Sequence, residues 1–359
     1  MANQIDIPSG ANIKVVGVGG GGSNAVSRMY RERMQSVEYL VINTDTQALL
    51  GCDVPLRISI GDQLTQGKGV GGNPEKGAQA ANESREQLFE SLNGVDMVFV
   101  AAGMGGGTGT GAAPAIAEIA KQTGALTVGV VTTPFLFEGT RRMKNAIEGI
   151  EKLKANVDTL LIIPNERLSI ICDEEITAKN AFDMADDVLK LGVQSIAELV
   201  TLPGEINLDF ADIKAIMENS GPVWMSIGYG SGGNRAKEAA HQAINNPLLD
   251  ISVEEATGVL FNVTGGNDLL LSELNEAAEV IQNVVHPDAN IIFGMTTDEK
   301  MNTQVKLTVI ATGMPSNQQS TTPNSSIPDD PDIPPFMRRI NKYRSEKPST
   351  TLKNQTDVA

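Results

Sequence analysis

Aromatic side chains are scarce: Phe, Trp and Tyr together make up 4% of the 359 residues. A platform that stacks the bases of single-stranded nucleic acid needs more of them. Positive charge is scarce too. Lys and Arg number 28 against 44 Asp and Glu, for a formal net charge of −16. That balance disfavours nonspecific nucleic-acid binding, so no nucleic-acid partner is expected. No apolar run is long enough to cross a membrane, so no direct membrane insertion is expected. Residues 1–10 lack a basic region followed by an apolar one, and no secretion signal is expected. The only cysteines are Cys52 and Cys172, isolated thiols expected to be reduced and structural. His241 and His286 have no ligand-spaced partners, so no metal site built from protein side chains is assigned. What remains is a soluble globular composition, 41% hydrophobic with a mean hydropathy of −0.10, in a chain long enough for two domains.

What the sequence has in abundance is glycine, and its placement is informative. In Gly103-Met104-Gly105-Gly106-Gly107-Thr108-Gly109-Thr110-Gly111 six of nine residues are glycine and two are threonine. The apolar run 96–102 leads in, and Ala112–Ala117 leads out toward a helix. A strand, a glycine loop and a helix N-terminus in that order form an anion site. Backbone N–H groups can approach phosphate oxygens, hydroxyls add donors, and the helix dipole favours negative charge.

The first half of the chain alternates strands with helices. Residues 13–19, 39–44, 97–102, 126–132 and 160–164 are short, nearly continuous apolar runs that suit a parallel sheet covered on both faces. Helical stretches at 24–34, 74–92, 112–123 and 140–155 lie between them. The pattern predicts an α/β, doubly wound domain over 12–177 after a flexible N-terminus, 1–11. A long helix, 178–202, is apolar on most sides, as expected of one buried between layers; Leu202-Pro203-Gly204 ends it. A second, α+β domain is expected over 203–313, with strands near 222–229, 258–264, 290–295 and 305–311 and helices at 212–219, 235–245 and 272–285. Residues 314–328 are rich in Ser, Thr, Pro, Asn and Gln and are expected to be disordered. After this linker comes 329–359, where Asp332-Ile333-Pro334-Pro335-Phe336-Met337-Arg338-Arg339 is an apolar-basic island typical of a short docking motif.

Gly17-Val18-Gly19-Gly20-Gly21-Gly22 satisfies G-x-G-x-x-G after the first strand, and Asp45 follows near the end of the second. Together these form the dinucleotide fingerprint, so an NAD-dependent oxidoreductase is one reading. It leaves the richer loop at 103–111 unexplained. Two glycine loops after different strands would instead grip one polyphosphate from two sides. A third stretch, 67–74 with Gly71 and Gly72, could cover the terminal phosphate. No G-x-x-x-x-G-K-[ST] is present, which argues against an ordinary P-loop enzyme.

Gly105 to Gly111 resembles the phosphate loop of the tubulin superfamily. Within that superfamily, 19–26, 43–49, 133–139, 207–212 and 332–339 resemble blocks of the FtsZ family of bacterial cell-division proteins, in that family's order, from about Asn12 to Arg339. The resemblance implies GTP/GDP with Mg²⁺, and K⁺ as a further candidate. It implies that Gly19, Gly20, Gly21, Gly22, Ser23 and Asn24, with Gly103, Gly106, Gly107, Thr108 and Gly109, hold the phosphates. Glu138 and Arg142 would contact the ribose; read locally they are an i,i+4 surface ion pair. Phe182 and Asp186 share a helix face. Phe182 would stack on the base and Asp186 accept from guanine N1–H and N2–H₂, with Asn165 also near the base. Read locally, Phe182 is a core residue.

Asn207, Asp209 and Asp212 would complete the active site of the next subunit in a head-to-tail homopolymer, by binding a cation and orienting a water. Read locally, Asp212 is a helix N-cap and Asp209 a loop residue. The block with Asp332, Ile333, Pro334, Phe336, Met337 and Arg338 resembles the family's docking peptide for membrane-tethering and regulatory division proteins. The implied function is a cytoplasmic GTPase that assembles into the division ring beneath the inner membrane. A non-division branch of the superfamily would share the glycine loops and lack the docking block.

Overall fold

The computed structural model describes residues 11–313 apart from 33, 35, 172–176, 202–205, 207–208, 246–252, 254–255, 299 and 302. The first half runs β1 (Ile13–Val18), α1 (Gly19–Glu32), β2 (Val37–Asn43), α2 (Thr46–Leu50), β3 (Leu56–Ser59), α3 (Asp62–Thr65), α4 (Pro74–Glu83), α5 (Arg85–Leu92), β4 (Met97–Gly103), α6 (Thr108–Gln122), β5 (Leu126–Thr133), α7 (Thr140–Lys154), β6 (Thr159–Pro164) and α8 (Asn165–Ile171). Then follow α9 (Ala178–Thr201), α10 (Phe210–Met217), β7 (Gly221–Pro222), β8 (Trp224–Ser231), α11 (Arg235–Ile244), β9 (Gly258–Gly265), α12 (Leu271–Gln282), β10 (Asn290–Thr297) and β11 (Gln304–Thr312). All the described residues fall in one compact unit.

Seven strands form one parallel sheet in the order β3-β2-β1-β4-β5-β6-β7. Alternate residues of a strand point to opposite faces, and here both faces are buried. Met97, Phe99 and Ala101 of β4 enter one core with α1 and α9, while Val98, Val100 and Ala102 enter the other with α4 to α7. That double burial is why these strands read as unbroken apolar runs. A second, mixed sheet has the order β10-β9-β11-β8, and Trp224 and Phe261 pack with α11 and α12 in a third core. Buried Arg235 ties the starts of these two helices together. Its guanidinium meets Glu273 at 2.8 and 3.0 Å and Asp268 at 2.7 Å.

The long helix α9 packs between the sheets, as its wide apolar stripe predicts. Leu189, Val193 and Ile196 share a core with Val130 and Leu161 of the first sheet and Leu260 and Ile310 of the second. The α/β architecture, the long helix and the second sheet therefore agree with the expectation. Three details differ. Helices α1 and α6 start at Gly19 and Thr108 rather than at Asn24 and Ala112, because close packing overrides glycine's poor helix propensity. The stretch 74–92 is broken at Ser84, whose backbone leaves the helical region and whose hydroxyl accepts the Gly61 N–H at 3.2 Å. β3, α2 and α3, four or five residues each, are too short to show periodicity.

Candidate functional site

The strand order reverses between β1 and β4, and ligands of such sheets bind where the order reverses, beyond the carboxyl ends of the strands. Both predicted glycine loops lie there. A Cβ built on Gly21 would meet Gly103 Cα at 3.4 Å, and one on Gly19 would meet Gly109 N at 2.6 Å, so the two loops touch. The third stretch joins them, since a Cβ on Gly107 would lie 3.1 Å from Gly72 N. Thr44, after β2, shares a 2.7 Å hydrogen bond with Thr108 through their hydroxyls. Thr110 Oγ1 accepts the Gly105 N–H at 2.8 Å and fixes the turn before α6.

The glycines divide into two classes. Some are required by the protein itself. A Cβ on Gly22 would fall 2.2 Å from Ala101 O, and one on Gly111 would fall 1.9 Å from Pro74 O. These glycines let α1 and α6 lie against neighbouring backbone. Others face open space. Around Gly20, Gly71, Gly72 and Gly106 a Cβ would meet nothing within 4 Å. Gly71 and Gly72 adopt left-handed backbone, φ +57° and +74°, which favours glycine on its own account. Gly20 and Gly106 have neither reason, and the open space above them leaves room for a ligand to approach the backbone closely. The N-cap of α6 is Gly107, which has no side chain to cap it, and among the described residues no side chain accepts from its first N–H groups. The Ser23 hydroxyl and the Asn165 Oδ1, both buried, have no hydrogen-bond partner among the described residues. Asn24 is exposed at the same edge. Together these features fit a polyphosphate and a base.

Phe182 is 44% exposed, so it is not the core residue that local reading suggests. Its ring stands perpendicular to those of Phe135 and Phe137, with centroids 5.5 and 6.1 Å away, both just past the carboxyl end of β5. Glu138 ion-pairs with Arg142, and its other oxygen accepts the Phe135 N–H at 2.9 Å. The i,i+4 pair thus exists at this edge. Asp186, one turn after Phe182, is half-buried, and burial raises its carboxyl from 3.8 to about 6 despite nearby Arg28. The folded chain holds that proton more tightly than the unfolded one. The protonated acid's contribution is complete below pH 3.8 and is lost as pH rises through about 6. Asp186→Asn removes this loss. At neutral pH it should raise the unfolding free energy of the nucleotide-free chain by on the order of 2 kcal/mol, with much less gain near pH 4. Urea denaturation of both proteins at the two pH values checks this; an identical difference at both would refute it.

The predicted carboxylates lie elsewhere. Asp209 holds the N-cap position of α10 without making a side-chain cap bond, and Asp212 sits in the first turn. This corrects the local expectation that Asp212 is the cap. Both are exposed, and neither carboxylate has a hydrogen-bond or ion-pair partner among the described residues. Asn207 lies outside the described residues, as do Asp332, Ile333, Pro334, Phe336, Met337 and Arg338.

The position of α10 follows from its contacts. Thr159, the first residue of β6, donates its hydroxyl hydrogen to the Met217 carbonyl, so α10 ends at the amino edge of the first sheet. From there α10 lies along β9. Gly258 lies by Ile216, and Ile206 bonds Met295, the register partner of Val263. Helix α9 leads the same way, running alongside α1: Arg28 meets Asp187, and Lys190 meets Glu32 at 2.9 Å. The glycine loops and the α10 carboxylates therefore belong to opposite edges of a sheet about 17 Å deep, at ~3.3 Å per residue.

Arg28 went unnoticed in the sequence, since only the packing of α1 on α9 brings it to Asp183, Asp186 and Asp187. Asp45 has a different task from the ribose contact of a dinucleotide fold. Its Oδ1 caps α2 by accepting the N–H groups of Gln47 and Ala48 at 2.9 and 3.2 Å.

Comparison with known proteins gives one answer. Residues 12–173 match the model of the Tubulin/FtsZ family GTPase domain, and residues 221–315 that of the FtsZ family C-terminal domain. An empty FtsZ dimer from M. jannaschii is 46% identical, with a TM-score of 0.81 over 86% of this chain and 90% of that one. A mutant FtsZ from the same organism is also 46% identical, with a TM-score of 0.80 over 85% and 92%. GDP-bound CetZ1 from Haloferax volcanii, at 22% identity and a TM-score of 0.73 over 85% and 95%, shares the fold. No described helix is long and apolar enough to cross a membrane. The dinucleotide reading is set aside: with both family domains matched in order and such identity over most of its length, the chain belongs to the Tubulin/FtsZ family and is a tubulin-like GTPase.

Proposed function

We propose that this chain polymerises head-to-tail and hydrolyses GTP between successive copies, in the filaments of a cell-division ring. The observation that supports the proposal is the separation of the touching glycine loops from the exposed carboxylates of α10. The carboxyl edge offers Gly20, Gly21 and Gly106 to phosphates, with Phe182, Asp186 and Asn165 for guanine and Glu138 and Arg142 for ribose. The other edge presents Asp209 and Asp212, exposed and unpartnered among the described residues. Stacking one copy on the next would bring these carboxylates to the neighbour's γ-phosphate, where they would orient the attacking water. Such an interface is heterologous and repeats without closing. Exposed apolar side chains support it: Leu136 and Phe137 near the nucleotide edge, and Leu270 and Leu271 at the start of α12. The M. jannaschii relative is itself a dimer.

Mg²⁺ fits through the nucleotide. No group of three or more His, Cys, Asp or Glu among the described residues could cage a metal, and Mg²⁺ is commonly held by phosphates, waters and one or two carboxylates. When bound it would neutralise phosphate charge. K⁺ is kept as a candidate counter-ion. In this reading 12–177 binds GTP, 178–202 is the central helix, 203–313 activates the neighbouring copy, and 329–359 docks membrane-tethering and regulatory partners beneath the inner membrane. The block 332–338 favours a division role over a non-division branch.

Light scattering and phosphate release, measured with GTP, GDP and ATP over a range of protein concentrations, test the proposal. Assembly should require GTP, and turnover per chain should rise above a threshold concentration. Turnover strictly proportional to protein from zero would overturn the shared site.

A further inference from the structure

We propose that Arg28 is the positioning residue for guanine recognition, a guanidinium on α1 that grips the Asp183–Asp187 turn of α9 and sets the Asp186 carboxylate as a charged acceptor for the base. The inference rests on the reading of Asp186 as the base acceptor and adds how that acceptor is held.

The geometry separates charge from hydrogen bonding. Arg28 Nη1 donates to the Asp183 carbonyl at 3.1 Å and to Asp187 Oδ1 at 3.3 Å, and Nη2 donates to the Asp183 carboxylate. Nε lies 3.8 Å from Asp186 Oδ2, too far for a hydrogen bond yet close enough to favour the ionised form. Every described hydrogen bond of this guanidinium therefore goes to Asp183 or Asp187. Asp186 receives compensating charge and keeps its acceptor lone pairs free among the described residues. A carboxylate in that condition suits a pair of donors, and guanine N1–H and N2–H₂ are such a pair.

The other charges nearby define the balance. Asp183 and Asp187 face Asp186 along α9 and favour its protonation, as burial does; Arg28, across from α1, opposes them. Lys190 is occupied with Glu32 and Asp187. Removing the guanidinium leaves three carboxylates on one turn without it, and the acceptor becomes a neutral acid at a higher pH. A neutral acid presents one hydroxyl hydrogen where guanine also presents hydrogens.

The test is nucleotide affinity against pH. GDP and IDP, whose base lacks the N2 amino group, are titrated by calorimetry into the full chain from about pH 5.5 to 8.5. GDP avoids assembly and turnover. In the unaltered protein GDP affinity should fall about tenfold or more as Asp186 gains its proton, the value of charge-assisted hydrogen bonds. The drop for IDP should be smaller. In Arg28→Gln the midpoint should move up by about one unit or more, weakening GDP at pH 7 and recovering toward pH 8.5. Arg28→Lys should return most of the midpoint, because it restores charge without the guanidinium fork.

An unshifted midpoint in Arg28→Gln, or a loss equal at every pH and for both nucleotides, would overturn the role of Arg28. Asp186→Asn distinguishes the underlying reading. It should abolish the pH step, and a step that survives it would mean that Asp186 is not the base acceptor.

Discussion

Asp212→Ala should bind GTP as tightly as the unaltered chain and lose turnover by about 10²-fold or more, the usual value of a positioned acid or base. Binding should survive because the side chain belongs to α10, across the sheet from the glycine loops. It is exposed and has no partner among the described residues, so neither packing nor an ion pair seen there is lost with it. Phosphate release above the assembly threshold, with nucleotide binding measured alongside, decides the matter. Full turnover would remove Asp212 from the chemistry. A mixture sharpens the result. Asp212→Ala retains its nucleotide site, and Gly106→Ala retains its carboxylates. At GTP concentrations too low to fill the weakened Gly106→Ala site, each alone should have little activity, whereas together they should recover part of it, at contacts where an intact carboxylate loop meets an intact nucleotide edge. No recovery in mixed assemblies would count against a site made by two copies.

Two alanine substitutions within one glycine-rich stretch should have opposite phenotypes. Gly106→Ala adds a methyl group where nothing lies within 4 Å and the backbone is already permitted. The fold should keep its melting temperature, while GTP affinity falls by about 1–3 kcal/mol as phosphate meets the methyl group. Gly111→Ala puts the same methyl group 1.9 Å from the Pro74 carbonyl oxygen and 2.8 Å from the Ala78 nitrogen. Backbone atoms cannot rotate away, so α4 and α6 must separate, at a cost of about 3 kcal/mol or more. Thermal melts and nucleotide titration of the two variants separate the effects. A destabilised Gly106→Ala with normal affinity would mean that the open glycine serves the fold and not a ligand.

Much of this molecule was legible because burial leaves a mark on sequence. β4 is apolar at every position because both of its faces are covered, and α9 is apolar around most of its circumference because it packs between two sheets. The motifs were legible as motifs. Their division of labour was not: Gly106 and Gly111 look alike in the loop and differ only in what stands opposite. Phe182 shows the same limit from the other side. Its spacing on α9 fits a core stripe, and only its exposure beside Phe137 shows that it lies at the rim. Arg28 was invisible because the three aspartates that surround it are far along the chain. Asp209 and Asp212 were recognisable by resemblance, whereas their distance from the glycine loops is a property of how α9 and α10 cross the fold.

That separation has a numerical consequence. If each completed site needs the carboxyl edge of one copy and the α10 carboxylates of another, an open row of n copies contains n − 1 of them. A lone molecule contains none, and every row, whatever its length, ends on one molecule with an unaccompanied nucleotide edge. Cutting a row in two destroys one working site without altering any chain, and joining two rows creates one. Activity per molecule then measures mean length: pairs work at half the rate of long rows, and an agent that severs them slows hydrolysis without ever touching a nucleotide.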